Sequence, residues 1–253
     1  MMIYKRAVAK LRAQDWFAII VEFAIVVAGV FVGTWVANWN QQRIEVAQTR
    51  HMLRNMKEEL GPTMRLIDDF QLYFAITRRY AVTAFAGWRG DPTVSDRDFV
   101  VAAYQASQIR LLGLNVQSWS QSLGVDRVPT IEDKALRQVV SALMSVDYTS
   151  LDQELYTDYR REIREEMPED VQEAIRRDCD DRFTADGHIV LPEPCDLKLP
   201  DDRIAAAARA LRAKPDLVKK LRWHQSAVTN FMANTQGLLA IEKEAYDRIG
   251  ATT

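Results

Sequence analysis

A surplus of charge of either sign is missing from this sequence: 33 lysines and arginines face 35 aspartates and glutamates, for a net charge of -2. It therefore has no global basic field of the kind nucleic-acid binding draws on, and nucleic acid is not an expected partner. Histidine is scarce, at three residues, too few for most His-based metal or acid-base constellations. Two cysteines, ten glycines and eight prolines exclude a disulfide-dense scaffold, a collagen-like repeat and a low-complexity chain. Also absent are G-x-x-x-x-G-K-[ST], G-x-G-x-x-G after a strand, H-E-x-x-H and G-x-S-x-G, the signatures of phosphate cradles, dinucleotide sites, zinc proteases and nucleophile elbows. No catalytic residue, cofactor or metal ligand is expected. What the chain does have is 48% hydrophobic residues over 253 positions, enough for a packed core, with a dense apolar block near the N-terminus.

From Trp16 to Ala37 the sequence reads WFAIIVEFAIVVAGVFVGTWVA, with Glu22 as its only charge, and about 20 such residues span a bilayer as a helix. At about 1.5 Å per residue, Trp16 and Trp39 lie roughly 35 Å apart, so Trp16, Trp35 and Trp39 fall near the two interfaces, where amphipathic rings settle. The apolar run exceeds the roughly 7–15 residues of a signal-peptide core, and Trp35 occupies the -3 position of a cut after Ala37, so an uncleaved signal anchor is expected. Lys5, Arg6, Lys10 and Arg12 precede it against Asp15 alone, while Arg43, Arg50 and Arg54 follow beside Glu45. This bias predicts a cytoplasmic tail over 1–15, a transmembrane anchor over 16–40 and an extracytoplasmic domain over 41–253.

At 100° per residue Glu22, Gly29, Gly33 and Asn40 share one stripe of the span. Gly29 and Gly33 form a GxxxG notch into which another helix can settle, and a carboxylic acid at that depth is expensive and faces a partner, a polar cavity or an interface. Three readings of Glu22 stand side by side: a neutral acid bonded across a helix pair, a pair with another protein's cation, or snorkelling to the cytoplasmic interface. The expected partners are the lipid bilayer and, through this face, a second copy or another membrane protein.

Beyond the span the pattern is helical. Val46, Thr49, Leu53, Met56 and Leu60 continue the membrane helix outward, Gly61-Pro62 is expected to interrupt it, and a second long helix follows to about Gly87–Gly90. Ser95 with Asp98 resembles a capping box opening a helix to about Leu112, with weaker helices at 115–123 and 131–147. A longer helix is expected over 148–166, restarted by Pro168 to about 178. Residues 180–200 read as an irregular loop with one short strand at 188–191. Helix resumes at 201–213, breaks at Lys214-Pro215 and runs to about Ile249 with a stripe of Leu217, Leu221, His224, Val228, Phe231, Thr235 and Leu238. The fold expected is all-α: a transmembrane helix, then an antiparallel bundle with coiled-coil character in which the first and last helices pair as a stalk.

Few residues outside the membrane suggest chemistry. Cys179 and Cys195 enclose about 15 residues and would close a disulfide worth about 3 kcal/mol in an oxidising compartment such as a periplasm; two free thiols, or a metal site with His188, are the other readings. Glu162, Glu165, Glu166, Glu169 and Asp170 form an acidic run, interleaved with Arg160, Arg161 and Arg164, that reads as a solvated helix face. Ser118, Ser120 and Ser122 flank Trp119 without a general base nearby in sequence. His224 reads as a core histidine and His51 as an exposed one; Trp88, Trp119 and Tyr104 read as core or as the lining of an apolar site.

The block VEFAIVVAGVFVGTWVANWNQQR resembles the N-terminal signature of a family of bacterial single-pass membrane proteins of unknown function, through Glu22, Gly29, Asn38, Trp39 and Asn40. WSQSLGVDRVPTIEDKALRQVVSAL is similar to that family's Ser-rich helix, loop and charged helix, whereas Gly33-Thr34-Trp35 departs from its more aliphatic form and the cysteine loop looks like an insertion. The resemblance implies a single-pass protein of the bacterial inner membrane and no activity. The expectation is a non-enzymatic interaction or accessory protein with a periplasmic helical domain; a sensor-like ligand-binding module and an envelope enzyme are the alternatives.

Overall fold

The computed structural model describes residues 16–113 and 125–252. Helix α1 covers Trp16–Trp88 and α2 Asp96–Gln105; after a 3-10 turn at Val125–Thr130 come α3 (Lys134–Met144), α4 (Tyr148–Gln153), α5 (Asp158–Glu166) and α6 (Glu169–Cys179). Strands β1 (Arg182–Phe183) and β2 (Ile189–Val190) precede α7 (Asp201–Arg212) and α8 (Asp216–Thr252). Among the described residues the fold is all-α apart from this one ribbon. The helix expected at 115–123 lies outside the described residues.

The described residues fall into two units that part between His51 and Met52. The first is the N-terminal stretch of α1. Ile20, Phe23, Ile25, Val26, Phe31 and Trp35 are each at least 60% exposed, and the most apolar window of this helix has a mean hydropathy of 2.2 with none of it buried. By length and composition it can cross a membrane, and among the described residues no other helix can.

In the second unit α1 buries a seam that steps by three and four without a break: Leu53, Met56, Leu60, Thr63, Ile67, Phe70, Phe74, Thr77, Ala81 and Ala84. The seam of α8 does the same through Leu217, Leu221, His224, Val228, Phe231, Thr235, Leu238, Glu242, Ala245 and Ile249. Alternating steps of three and four average 3.5 residues, the repeat that keeps one seam facing a partner helix. The two seams meet antiparallel. The Lys57 ammonium lies 4.6 Å from the Tyr246 ring centre, the Gln71 amide donates to the Met232 carbonyl and the Thr235 hydroxyl at 2.9 Å each, and Phe74 meets Phe231 edge-on at 5.1 Å. Around this pair α8 packs on α3 and α5, and α2 packs on α7.

Gly61-Pro62 does not interrupt α1, contrary to the sequence pattern. Proline cannot supply the N–H from which the Glu58 carbonyl would accept; Glu58 and Pro62 both lie on the exposed face, where the orphaned carbonyl is open to solvent, and Leu60 and Thr63 keep the seam buried. At the far end α1 closes with Gly90 at φ +73 and the Asp91 amide reaching back to the Ala86 carbonyl, a left-handed C-terminal cap.

Two other boundaries differ from the periodicity. The Ser95 hydroxyl caps α2 by accepting from the Asp98 amide, yet that helix stops at Gln105 rather than near Leu112. Its end is set by distant bonds: the Gln105 amide group donates to the Cys179 carbonyl, and the Arg160 guanidinium to the Ser107 carbonyl. The stretch 148–166 is two helices. The break at 154–157 buries Leu155 fully and turns the Thr157 hydroxyl to His224 Nδ1 at 2.7 Å. Pro168 does restart a helix, and the single strand expected at 188–191 finds a partner, with Arg182 opposite Val190 and Phe183 opposite Ile189. The connecting turn uses Gly187 at φ +86, a conformation glycine adopts without strain.

Candidate functional site

In the first unit Glu22, Gly29, Gly33 and Asn40 all belong to α1 and are exposed, so helical geometry sets them within about 20° of one line. A Cβ built on Gly29 or Gly33 would meet nothing within 4 Å. The result is a bare notch flanked by a carboxyl group and an amide. Trp35 is 70% exposed and Trp39 53%, with the Arg43 guanidinium 4.9 Å from the Trp39 ring centre; Trp16 opens the helix. The Thr34 hydroxyl is turned onto the Val30 and Phe31 carbonyls at 3.0 Å each, which satisfies its own donor within the helix.

The second unit draws Cys179 and Cys195 to disulfide distance, with Cα atoms 5.4 Å apart. His188 takes no part there. Its Nδ1 stands 2.7 Å from Asp69 Oδ1, and Asp69 also accepts from the Ile189 amide at 3.2 Å. The hydrogen bond and charge of Asp69 raise the His188 pKa. Among the described residues no group of three His, Cys, Asp or Glu side chains is arranged to hold a metal ion. The acidic run is dispersed onto cations elsewhere in the fold: Glu162 meets Lys220 on α8, Glu166 meets Lys214 in the break before α8 at 2.7 Å and Asp170 meets Arg203 on α7 at 2.6 Å.

The aromatic residues serve the core. Trp88 stands edge-on to Phe99 at 5.0 Å and its indole N–H donates to the Leu211 carbonyl at 3.1 Å; Tyr104 is buried beneath the Arg164 guanidinium at 4.7 Å. Ser118, Trp119, Ser120 and Ser122 lie outside the described residues. His224 is wholly buried, and burial, helped by Arg160 and Arg164, lowers its pKa to about 4, so the ring is neutral.

Three features escape the sequence patterns. Glu242 is fully buried and neither of its oxygens has a hydrogen-bond partner; the signal for it was present, since one more step of four from Leu238 lands on it. Asp69 is buried on α1, where nothing in the local pattern ties it to a loop 119 residues away. A groove of about 440 Å³ runs between α1 and α8, lined by Ala75, Arg78, Val82, Phe85, Gln225 and Thr229 among others; its lining is scattered over two distant segments. No protein-family model, no curated protein and no solved structure matches this chain.

Proposed function

We propose that this protein is a non-enzymatic, membrane-anchored interaction or accessory protein, held in a bacterial inner membrane by residues 16–40, with residues 1–15 cytoplasmic and 41–253 periplasmic. The observation that carries this reading is the apolar stretch of α1, whose Glu22, Gly29, Gly33 and Asn40 stripe is exposed and has no cover among the described residues. A bare glycine notch beside an acidic group is a surface that lipid tails serve poorly and a second helix serves well, because close backbone approach and an interhelical hydrogen bond drive association in hydrocarbon. The proximity of Cys179 to Cys195 fits an oxidising compartment, as does the arginine and lysine bias before the span. The likeness of the membrane block to the bacterial single-pass family belongs to the same reading.

Purification of the full-length protein from mild detergent, followed by identification and counting of co-purifying chains, tests it. A stoichiometric membrane partner, or a defined homo-oligomer, is the expected result, with crosslinked species in native membranes reduced by Glu22→Leu or Gly29→Leu. A monomer whose crosslinking is indifferent to both changes removes the membrane-face reading. A periplasm-active reporter fused after Thr253 should be active; activity of a cytoplasm-dependent reporter alone inverts the topology.

A second reading, a sensor-like module signalling through a membrane partner, draws on one feature: α1 is helical without interruption from Trp16 to Trp88.

A further inference from the structure

We propose that Glu242 is a proton-binding site that couples its own ionisation to the closure of α8 against α3 and α4. Glu242 occupies a seam position between Leu238 and Ala245, is 0% exposed, and offers two carboxyl oxygens that meet no donor. Tyr148, at the start of α4, is also buried, and its hydroxyl is likewise without a partner. The helices that carry the two pack together, and the Glu242 charge, after burial itself, opposes ionisation of Tyr148.

The charged groups on the surrounding elements are committed elsewhere. On α1, Lys57 lies over the Tyr246 ring. At α3, Asp133 caps the helix by accepting from the Ala135 and Leu136 amides, Arg137 donates to the Ile131 carbonyl, and Lys134 is exposed. On α4, Asp152 accepts from the Leu112 and Gly113 amides, and on α8 itself Arg248 pairs with Glu244. An ionised Glu242 would thus be a buried charge with no paired cation and no hydrogen bond among the described residues, a costly state for a carboxyl group in a core. A neutral acid is tolerated far better and has one O–H to give.

Burial alone accordingly moves the Glu242 pKa from 4.5 up to about 8. Between those values the closed bundle holds one proton more than the open chain, so rising pH favours opening by about tenfold per pH unit. Opening admits water to the carboxylate by parting α8 from α3 and α4, which loosens the last turns of the α8 seam.

The experiment uses the full-length protein in detergent micelles, with urea unfolding followed by tryptophan fluorescence between pH 6.5 and 8. The ratio of unfolding constants, native protein over Glu242→Gln, should climb close to tenfold per pH unit. His188 contributes a slope of the same sign but persists in the variant, so the ratio removes it. Glu242→Met serves if the buried amide of the glutamine variant prevents folding. A ratio independent of pH in whichever variant folds overturns the proposal. If neither folds, the native infrared spectrum decides: a protonated-carboxyl band that titrates near pH 8 is expected, and its absence overturns the assignment.

Discussion

Nδ1 of His188 and Oδ1 of Asp69, 2.7 Å apart, fasten the turn between β1 and β2 to the middle of α1. The pair is worth most when His188 carries its proton. Because the folded pKa lies above the usual histidine value, the stabilisation is full below about 6.5 and disappears as pH rises through the raised value. Asp69→Asn should return the histidine titration to its ordinary range, as read by NMR of the imidazole, and should loosen the turn toward limited proteolysis at neutral pH. An unchanged titration would show that another group holds the ring.

His224 sets the opposite limb. It is buried neutral with a pKa near 4, so at this residue the folded bundle binds less proton than the unfolded chain between about 4 and 6.5, and acidification through that window takes away about 3 kcal/mol of its share of the stability, against the opposite slope from Glu242. Because Glu242 persists in both proteins, the difference in unfolding free energy, native minus His224→Gln, isolates the histidine and should fall as pH is lowered from about 6.5 to about 4; a difference independent of pH would refute it.

Two glycines in helices should respond oppositely to alanine. A Cβ on Gly87 would stand 2.2 Å from Cδ2 of Phe99, and displacing that ring from the core should cost about 1–3 kcal/mol. Gly237, exposed on α8, has nothing within 4 Å, so Gly237→Ala should add up to about 1 kcal/mol through helix propensity alone. Thermal melts of the two variants test both signs.

Phe231 is the ring on which both Phe70 and Phe74 converge, with ring centres at 6.5 and 5.1 Å. Phe231→Ala removes the centre of the α1–α8 seam and should cost about 3–5 kcal/mol. A loss below 1 kcal/mol would mean that the two helices do not depend on this contact.

The long seam of α8 was legible because every buried residue from Leu217 to Leu238 obeys the same period, and Glu242 hid only because a charged residue in a seam position reads as the seam's end. Pro62 misled for the complementary reason: its effect depends on whether the carbonyl it orphans faces water or core, which only the packing decides. The break at 154–157 has no glycine or proline to announce it; burial of Leu155 and the meeting of Thr157 with His224 create it. Hydrophobic period thus exposed the helices and their inward faces, while contacts spanning tens of residues, such as Asp69 with His188 or Arg160 with Ser107, leave no local trace.

The segment from Asp180 to Pro200 is tied down on both sides of its exposed glycine turn. The Tyr80 hydroxyl donates to the Pro192 carbonyl, Arg97 takes the Leu197 and Leu199 carbonyls, and Cys195 sits beside Cys179 at the end of α6. A protease cutting between Asp186 and Gly187 would therefore sever the backbone without releasing either half. With the two sulfurs bonded, the nicked molecule would migrate as one species on a non-reducing gel and as two after reduction, its fold kept by fastenings that do not need the chain to be whole.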